Sequence, residues 1–219
     1  MWDISKLKTH LDSLDEPSDL HSDYLWSISR TITIYEYHKS EAYSALMDIE
    51  PKDHEDAINF VLSNSDENND FEYKVIIIQA HMQASLYSAR AMFDIFAQLI
   101  NLLLLSGKRP VHHCYVHDVC DLLIDSPVKT ALRDILNSHE YKYVSAFINV
   151  IKHRNLLQFT RTLDFTELKS GVRVKNFKFK DQSFGQKWAI DALESSLIIK
   201  NKLVDLGELL NQVCGVKDA

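Results

Sequence analysis

Residues 71–105 read FEYKVIIIQAHMQASLYSARAMFDIFAQLINLLLL, with no proline or glycine from end to end. Without a breaker the run reads as one long helix. Ser106-Gly107-Lys108-Arg109-Pro110 closes it, because glycine suits the left-handed position past a helix end and the two bases suit the negative pole of its dipole. At 1.5 Å per residue such a helix is roughly 50 Å long, the backbone of a bundle. Upstream, Ser63-Asn64-Ser65-Asp66-Glu67-Asn68-Asn69-Asp70 is polar and acidic and reads as a loop. Asn69, with Glu72 three residues later, resembles a capping box that sets the helix start near Phe71.

Other helices flank this one. Ile4, Leu7, Leu11 and Leu14 recur at 3-4-3 spacing behind an Asp3 cap, and Asp15-Glu16-Pro17-Ser18 breaks the run. Leu20, Tyr24, Ile28, Ile32, Tyr35, Tyr43 and Leu46 keep a helical stripe to about Met47, although Thr31–Tyr35 is β-branched. A short helix over 52–62 turns Ala57, Phe60 and Val61 inward. After the long helix come short ones at about 118–125 and from Ser126-Pro127 to Asn137. Ser138 then caps a helix over about 139–158. Phe159–Thr166 is strand-like, Ser170-Gly171 is a turn signal and Val172–Lys175 alternates, so a hairpin is expected over about 159–180. Phe177 and Phe179 fall out of phase with Val172 and Val174, which suggests a bulge near Lys175-Asn176. A final helix runs from about Gly185 to Val213, with Ile199, Leu203, Leu206, Leu210 and Val213 facing inward. The expectation is one all-α bundle over 1–219: a helical layer over 1–70, and a core of up-and-down helices over 71–219 with the hairpin inserted before the last helix.

The chain has 219 residues, is 46% hydrophobic, and contains 5 Gly and 4 Pro, so a large core of long elements is affordable. Cys114, Cys120 and Cys214 form no pairing pattern and read as reduced thiols, which favours the cytoplasm. Met1-Trp2-Asp3-Ile4 does not open a signal peptide, and Ala91–Leu105, interrupted by Asp94, Gln98 and Asn101, is too short to span a bilayer. No membrane association is expected. The net charge of −7 argues against nucleic acid, but it hides an asymmetry. Residues 1–70 hold 16 acids against 5 Lys/Arg, whereas residues 141–180 hold 9 Lys/Arg against Asp164 and Glu167 alone. The basic segment suits phosphate, or an attraction between the two oppositely charged regions.

Two polar constellations stand out. Gln79, Gln83, Tyr87, Arg90, Asp94, Gln98 and Asn101 are spaced 4, 4, 3, 4, 4 and 3 and share one face of the long helix. It is either a solvated face or a half-buried seam in which amides satisfy one another and Arg90 pairs with Asp94. On the helix of residues 139–158, Asn149 and His153 lie one turn apart, and Lys152-His153-Arg154 ends an apolar run. If the two helices are neighbours, His153 is a candidate general acid/base and Lys152 or Arg154 a candidate stabiliser of phosphate charge. The bland alternative is a structural network.

A long helix with an internal polar stripe, short linking helices, Asn149-x-x-Lys152-His153-Arg154, a hairpin and a last helix resembles the HEPN superfamily, in a divergent branch marked by N-x-x-K-H-R. The resemblance covers roughly residues 70–215. It implies an all-α bundle, commonly a homodimer, and in many members a metal-independent endoribonuclease of toxin, phage-defence or RNA-processing systems that cuts RNA through the ribose 2′-OH. The family's usual motif places a His four to six residues after the Arg. Here Asn155–Arg161 contains none, so only Asn149, Lys152, His153 and Arg154 carry over, with Arg90 and Asp94 in support.

Arg161, Arg173, Lys175 and Lys178 of the hairpin are candidate RNA contacts, alongside Phe159, Phe177 and Phe179; equally, the hairpin is a solvated one whose phenylalanines cap the bundle. His113, His117 and Cys120 would share a helical face, but no C-x-x-C or second half-site accompanies them, so no metal or other cofactor is expected. Glycine-rich phosphate loops, serine-hydrolase elbows and kinase signatures are missing. The leading expectation is RNA binding or RNA cleavage. The rival is a non-catalytic helical interaction or dimerisation module that recruits a protein partner.

Overall fold

A computed structural model describes residues 2–14, 19–62 and 65–216. The break expected at residues 15–18, and the first two residues of the expected 63–70 loop, lie outside the described residues. The fold is mostly helical with small antiparallel sheets. Among the described residues the helices are α1 (Ile4–Asp12), α2 (Asp19–Ile49), α3 (His54–Leu62), α4 (Ser65–Leu105), α5 (Val116–Leu122), α6 (Pro127–Asn137), α7 (His139–His153) and α8 (Ala189–Val213). The strands are β1 (Phe159–Asp164), β2 (Lys169–Val174), β3 (Phe177–Phe179), β4 (Gln182–Phe184) and β5 (Lys187–Trp188).

Several boundaries follow local chemistry that the sequence announced. Asp3 accepts the Lys6 amide at 2.9 Å and opens α1. Ser126 accepts the Lys129 amide ahead of Pro127 and opens α6. Gly107, at φ +69, lets its own amide reach back to the Asn101 carbonyl at 2.8 Å and closes α4. The start of α4 differs from expectation: Asn69 lies inside the helix, which begins at Ser65, so the acidic stretch contributes turns of helix rather than a loop. Residues Asn69–Leu105 are long and apolar enough, by length and composition, to cross a membrane, in contrast to the shorter Ala91–Leu105 stretch. Half of the most apolar window is buried within the protein.

The chain forms two compact units, and α2, α4, α7 and α8 each contribute residues to both. The first unit comprises residues 1–34, 88–142 and 197–219. Its core is built from Leu7, Leu25, Ile28, Phe93, Phe96, Val119, Leu132, Leu203 and Leu210, all buried. Trp2 lies in this core edge-on to Phe96, with centroids 5.6 Å apart, and its Nε1 donates to Asn211 Oδ1 at 2.9 Å. Its indole occupies the space beside Gly207, where a Cβ would come within 2.1 Å of the ring.

The second unit comprises residues 35–87 and 143–196. Tyr35, Phe60, Ile78, Met82, Phe147, Val174 and Ala192 are buried in it. β1 and β2 pair antiparallel from Phe159↔Val174 to Asp164↔Lys169, and β5 adds to β2. The expected turn at Ser170-Gly171 is instead strand. Asp164 makes the turn, its Oδ1 accepting the amides of Thr166 (2.9 Å) and Glu167 (3.0 Å) while Leu168 takes φ +50. The expected bulge at Lys175-Asn176 is also replaced: β2 stops at Val174, and β3 pairs with β4 in a second hairpin. That explains the phase change, because Phe177 stacks on Phe184 at 5.0 Å in a different sheet. Residues 185–188, expected to begin the last helix, precede it instead, and Lys187-Trp188 forms β5.

Candidate functional site

Helix α7 ends five residues earlier than its apolar pattern suggests. The amides of Arg154 and Asn155 both reach back to the Val150 carbonyl, at 2.9 and 3.2 Å, and the chain then extends. Gln79 Nε2 donates to the Leu157 carbonyl at 3.2 Å and holds this extended segment within the second unit. The last turn thereby presents Lys152, His153 and Arg154 to solvent. Arg154 folds over Phe179, 5.4 Å from its centroid, and Nη1 donates to the Lys178 carbonyl at 3.0 Å. Lys152 Nζ stands 4.9 Å from the Tyr87 ring centroid.

Arg154 and Lys178 border a groove of about 320 Å³ between the end of α7, the segment leading into β1, and the link from β2 to β3. Arg154, Lys175 and Lys178 supply its charge, Asn155, Gln158 and Asn176 supply amides, and among the described residues no carboxylate lines it. Lys175 Nζ donates to Gln158 Oε1, and its amide to the Gln158 carbonyl at 2.9 Å, so the two walls are tied together. A concave surface with three cations, amide donors and acceptors, and no acid is chemically suited to an anion flanked by hydrogen-bonding groups. The amides Asn155, Gln158 and Asn176 did not stand out in the sequence. Their one signal is that they flank the two ends of the β1–β2 hairpin.

The remaining predicted residues occupy different settings. Asn149 is half-buried, and its Nδ2 donates to the Ser145 carbonyl of its own helix at 2.8 Å. Arg90 and Asp94 belong to the first unit, where Arg90 Nη1 lies 2.8 Å from Asp94 Oδ1 and the guanidinium sits 5.5 Å from the Tyr141 ring centroid. Tyr141 is buried, with no hydrogen-bond partner for its hydroxyl among the described residues, and burial pushes its pKa up to about 12. The other amides of the α4 stripe bind backbone. Gln98 Nε2 donates to the Val111 carbonyl at 2.9 Å, and Asn101 bridges the Arg109 carbonyl (2.8 Å) and amide (2.9 Å). Gln83 is half-buried, while Tyr87 and Asp94 are exposed, so the stripe is a solvated face in its middle and a set of loop anchors at its ends.

Two hairpin arginines are engaged by acids. Arg161 Nη1 donates to the Phe60 carbonyl at 2.7 Å, with Glu72 3.6 Å from the guanidinium and the Phe71 ring beneath it at 5.2 Å. Arg173 pairs with Asp164 (2.8 Å) and Glu167 (3.1 Å) and lies 3.8 Å from the Trp188 ring centroid, while Trp188 Nε1 donates to Glu167 Oε2. Lys175 and Lys178 are exposed. His113, His117 and Cys120 are not gathered: among the described residues no group of three or more His, Cys, Asp or Glu is set to hold a metal. Cys114 and Cys120 are buried, and burial raises both thiols above their ordinary range, away from the thiolate form.

No protein-family model, curated protein or solved structure matches this chain.

Proposed function

We propose that the chain binds RNA along the groove at the end of α7 and cleaves it as a divergent HEPN-like, metal-independent endoribonuclease. The observation that carries this reading is the groove itself, where Arg154, Lys175 and Lys178 meet without a carboxylate on a chain of net charge −7. A cationic pocket on an acidic protein selects for a phosphate ligand by contrast with the rest of the surface. His153, exposed beside Arg154, takes the proton of the ribose 2′-OH. The oxygen attacks phosphorus, the P–O5′ bond breaks, the 5′-oxygen leaves as a hydroxyl by taking a proton from water while His153 gives its own back to solvent, and a 2′,3′-cyclic phosphate results. Arg154 and Lys152 stabilise the negative charge that builds on the phosphoryl oxygens. The mostly helical fold and the N-x-x-K-H-R spacing at the end of α7 support placing the chain with that superfamily.

A second reading has its own support. Asn149 is satisfied within its helix, and Gln79, Gln98 and Asn101 hold backbone segments, as polar groups of a non-catalytic interaction or dimerisation module do. Incubating purified protein with RNA in EDTA separates the two. Cleavage that is lost in His153→Ala, with folding unchanged, is the expected result. Undiminished cleavage by that variant removes the site assignment, and absence of RNA binding at low salt favours the module.

A further inference from the structure

A cavity of about 540 Å³ opens within the second unit, between the start of α3 and the β1–β2 turn. It shares no residue with the groove at the end of α7. α3 packs on β1, and the Arg161 bond to the Phe60 carbonyl ties the two walls together. Pro51, Ala57, Ile58, Leu163, Phe165 and Leu168 form the apolar lining. The volume falls within the roughly 300–1,000 Å³ typical of small-molecule sites.

Two of these side chains gain little from the fold. Phe165 is 78% exposed and Leu168 85%, both in the turn between β1 and β2, and Ile58 on the facing wall is 49% exposed. Leu168 also holds φ +50, a conformation that favours glycine or asparagine and that a bulky side chain adopts only under constraint. An apolar residue both strained and exposed points to a contact made from outside the chain.

Lys52, Asp53, Asp164, Lys169 and Ser170 make the polar part of the lining. The protein's own donors engage both acids. Asp53 Oδ1 accepts the Asp56 amide at 2.9 Å, and Asp164 holds the turn amides and Arg173. Neither lysine is ion-paired with an acid among the described residues, and Lys169 Nζ rests 5.0 Å from the Trp188 ring centroid. Two such cations beside apolar walls suit an anionic head on an apolar tail, while Asp53 and Asp164 repel a second negative charge. We propose that this cavity binds a small amphipathic carboxylate, its tail against Ile58, Phe165 and Leu168 and its head held by Lys52 and Lys169. This site is independent of the RNA reading.

The test titrates the full chain calorimetrically with decanoate at low salt and neutral pH. One molecule should bind per chain, with a Kd of about 0.1–1 mM. Decylammonium, of opposite charge, and decyl phosphate, with its added charge, should each bind at least about fivefold more weakly. Lys52→Gln and Lys169→Gln should each weaken decanoate binding several-fold. Leu168→Asn should weaken it at least about fivefold, through the lost apolar wall. That variant should melt no lower than the wild type, because asparagine accepts the same φ and the leucine it replaces is exposed. The site is overturned if decanoate shows no saturable binding up to about 10 mM. It is overturned too if decylammonium or decyl phosphate binds as tightly, or if Leu168→Asn binds decanoate as the wild type does. A dimer in light scattering that Leu168→Asn returns to monomer also overturns it, since a second copy then covers the hairpin turn.

Discussion

Arg154 Nη1 donates to the carbonyl oxygen of Lys178 at 3.0 Å, which fixes the end of α7 against β3 and brings a second cation to the same groove. The two side chains, with Lys175, therefore line one groove rather than lying scattered, so an anion bound there would meet all three. If that anion is an RNA backbone, Lys175→Ala and Lys178→Ala should each weaken binding across all sequences and reduce the slope of log K against log [salt] by about 0.7 for single strands. Arg161→Ala and Arg173→Ala should leave the slope unchanged while lowering stability, because acids already neutralise these two. Filter binding at several salt concentrations checks both halves.

Asn149 offers a sharper distinction between the two functional readings. Its side chain closes on Ser145 of the same helix, so Asn149→Ala exchanges one local hydrogen bond for better helix propensity. Unfolding free energy should change by less than about 0.5 kcal/mol. A drop in RNA cleavage at unchanged stability would then place Asn149 beside the substrate. A large loss of stability would instead make it part of the module's packing.

Gly207 should be intolerant of any side chain while Trp2 is present. Its Cβ would lie 2.1 Å from the indole, so Gly207→Ala must expel Trp2 and lose both its burial and its bond to Asn211. That costs about 3–5 kcal/mol, the range for removing a buried large aromatic. In a Trp2→Ala background the same change should be neutral, or stabilising by up to about 1 kcal/mol, since alanine is the better helix former. Denaturant unfolding of the four proteins in this cycle gives the coupling directly.

Asp164 links the β1–β2 turn to pH. The amides of Glu167 and Thr166, and after them Arg173, hold its carboxyl below the usual carboxylate range. A carboxylate depressed in the folded state contributes stability above its unfolded value near 4, and that contribution is lost as pH falls through the folded value. Asp164→Asn should therefore lower the melting temperature at pH 7, and the gap to wild type should close on acidification below pH 4. A gap that persists unchanged to pH 2 would mean that the turn, not the charge, is what the substitution damages.

Which features were legible in the sequence follows the range over which each is determined. Asp3, Ser126 and Gly107 act within six residues of their own positions, and the helix boundaries they announced are found. The apolar spacing of Ile199, Leu203, Leu206 and Leu210 likewise named a buried face. The β region misled because its turn is built by a side chain, Asp164, whose effect depends on two amides folding back onto it, whereas Ser170-Gly171 carries only composition. Phe177 and Phe179 fell out of phase because a second sheet begins there, and no local pattern distinguishes a bulge from a new hairpin. The basic stretch at the end of α7 was visible as charge. The groove was not, because Lys175 and Lys178 reach it through pairing that lies beyond twenty residues of chain. Nor could sequence tell the ion-paired Arg161 from the exposed lysines, since its partners include Glu72 and Phe60, about ninety and a hundred residues upstream, whereas Arg173 meets Asp164 and Glu167 only because the β1–β2 pairing brings them together.

Trp2 and Asn211 are hydrogen-bonded across 209 positions of sequence, and the unit that contains them draws on the beginning, middle and end of the chain. On a ribosome adding about 5–20 residues per second, the first helix emerges at least about 10 s before the residues that anchor it. During that interval Trp2, Leu7 and Leu11 lack the α8 surface that covers Trp2 in the finished protein. The unit can close only after α8 has been synthesised, so a chain truncated before α8 would be left with exposed apolar residues on and before α1, a natural target for chaperones and proteases.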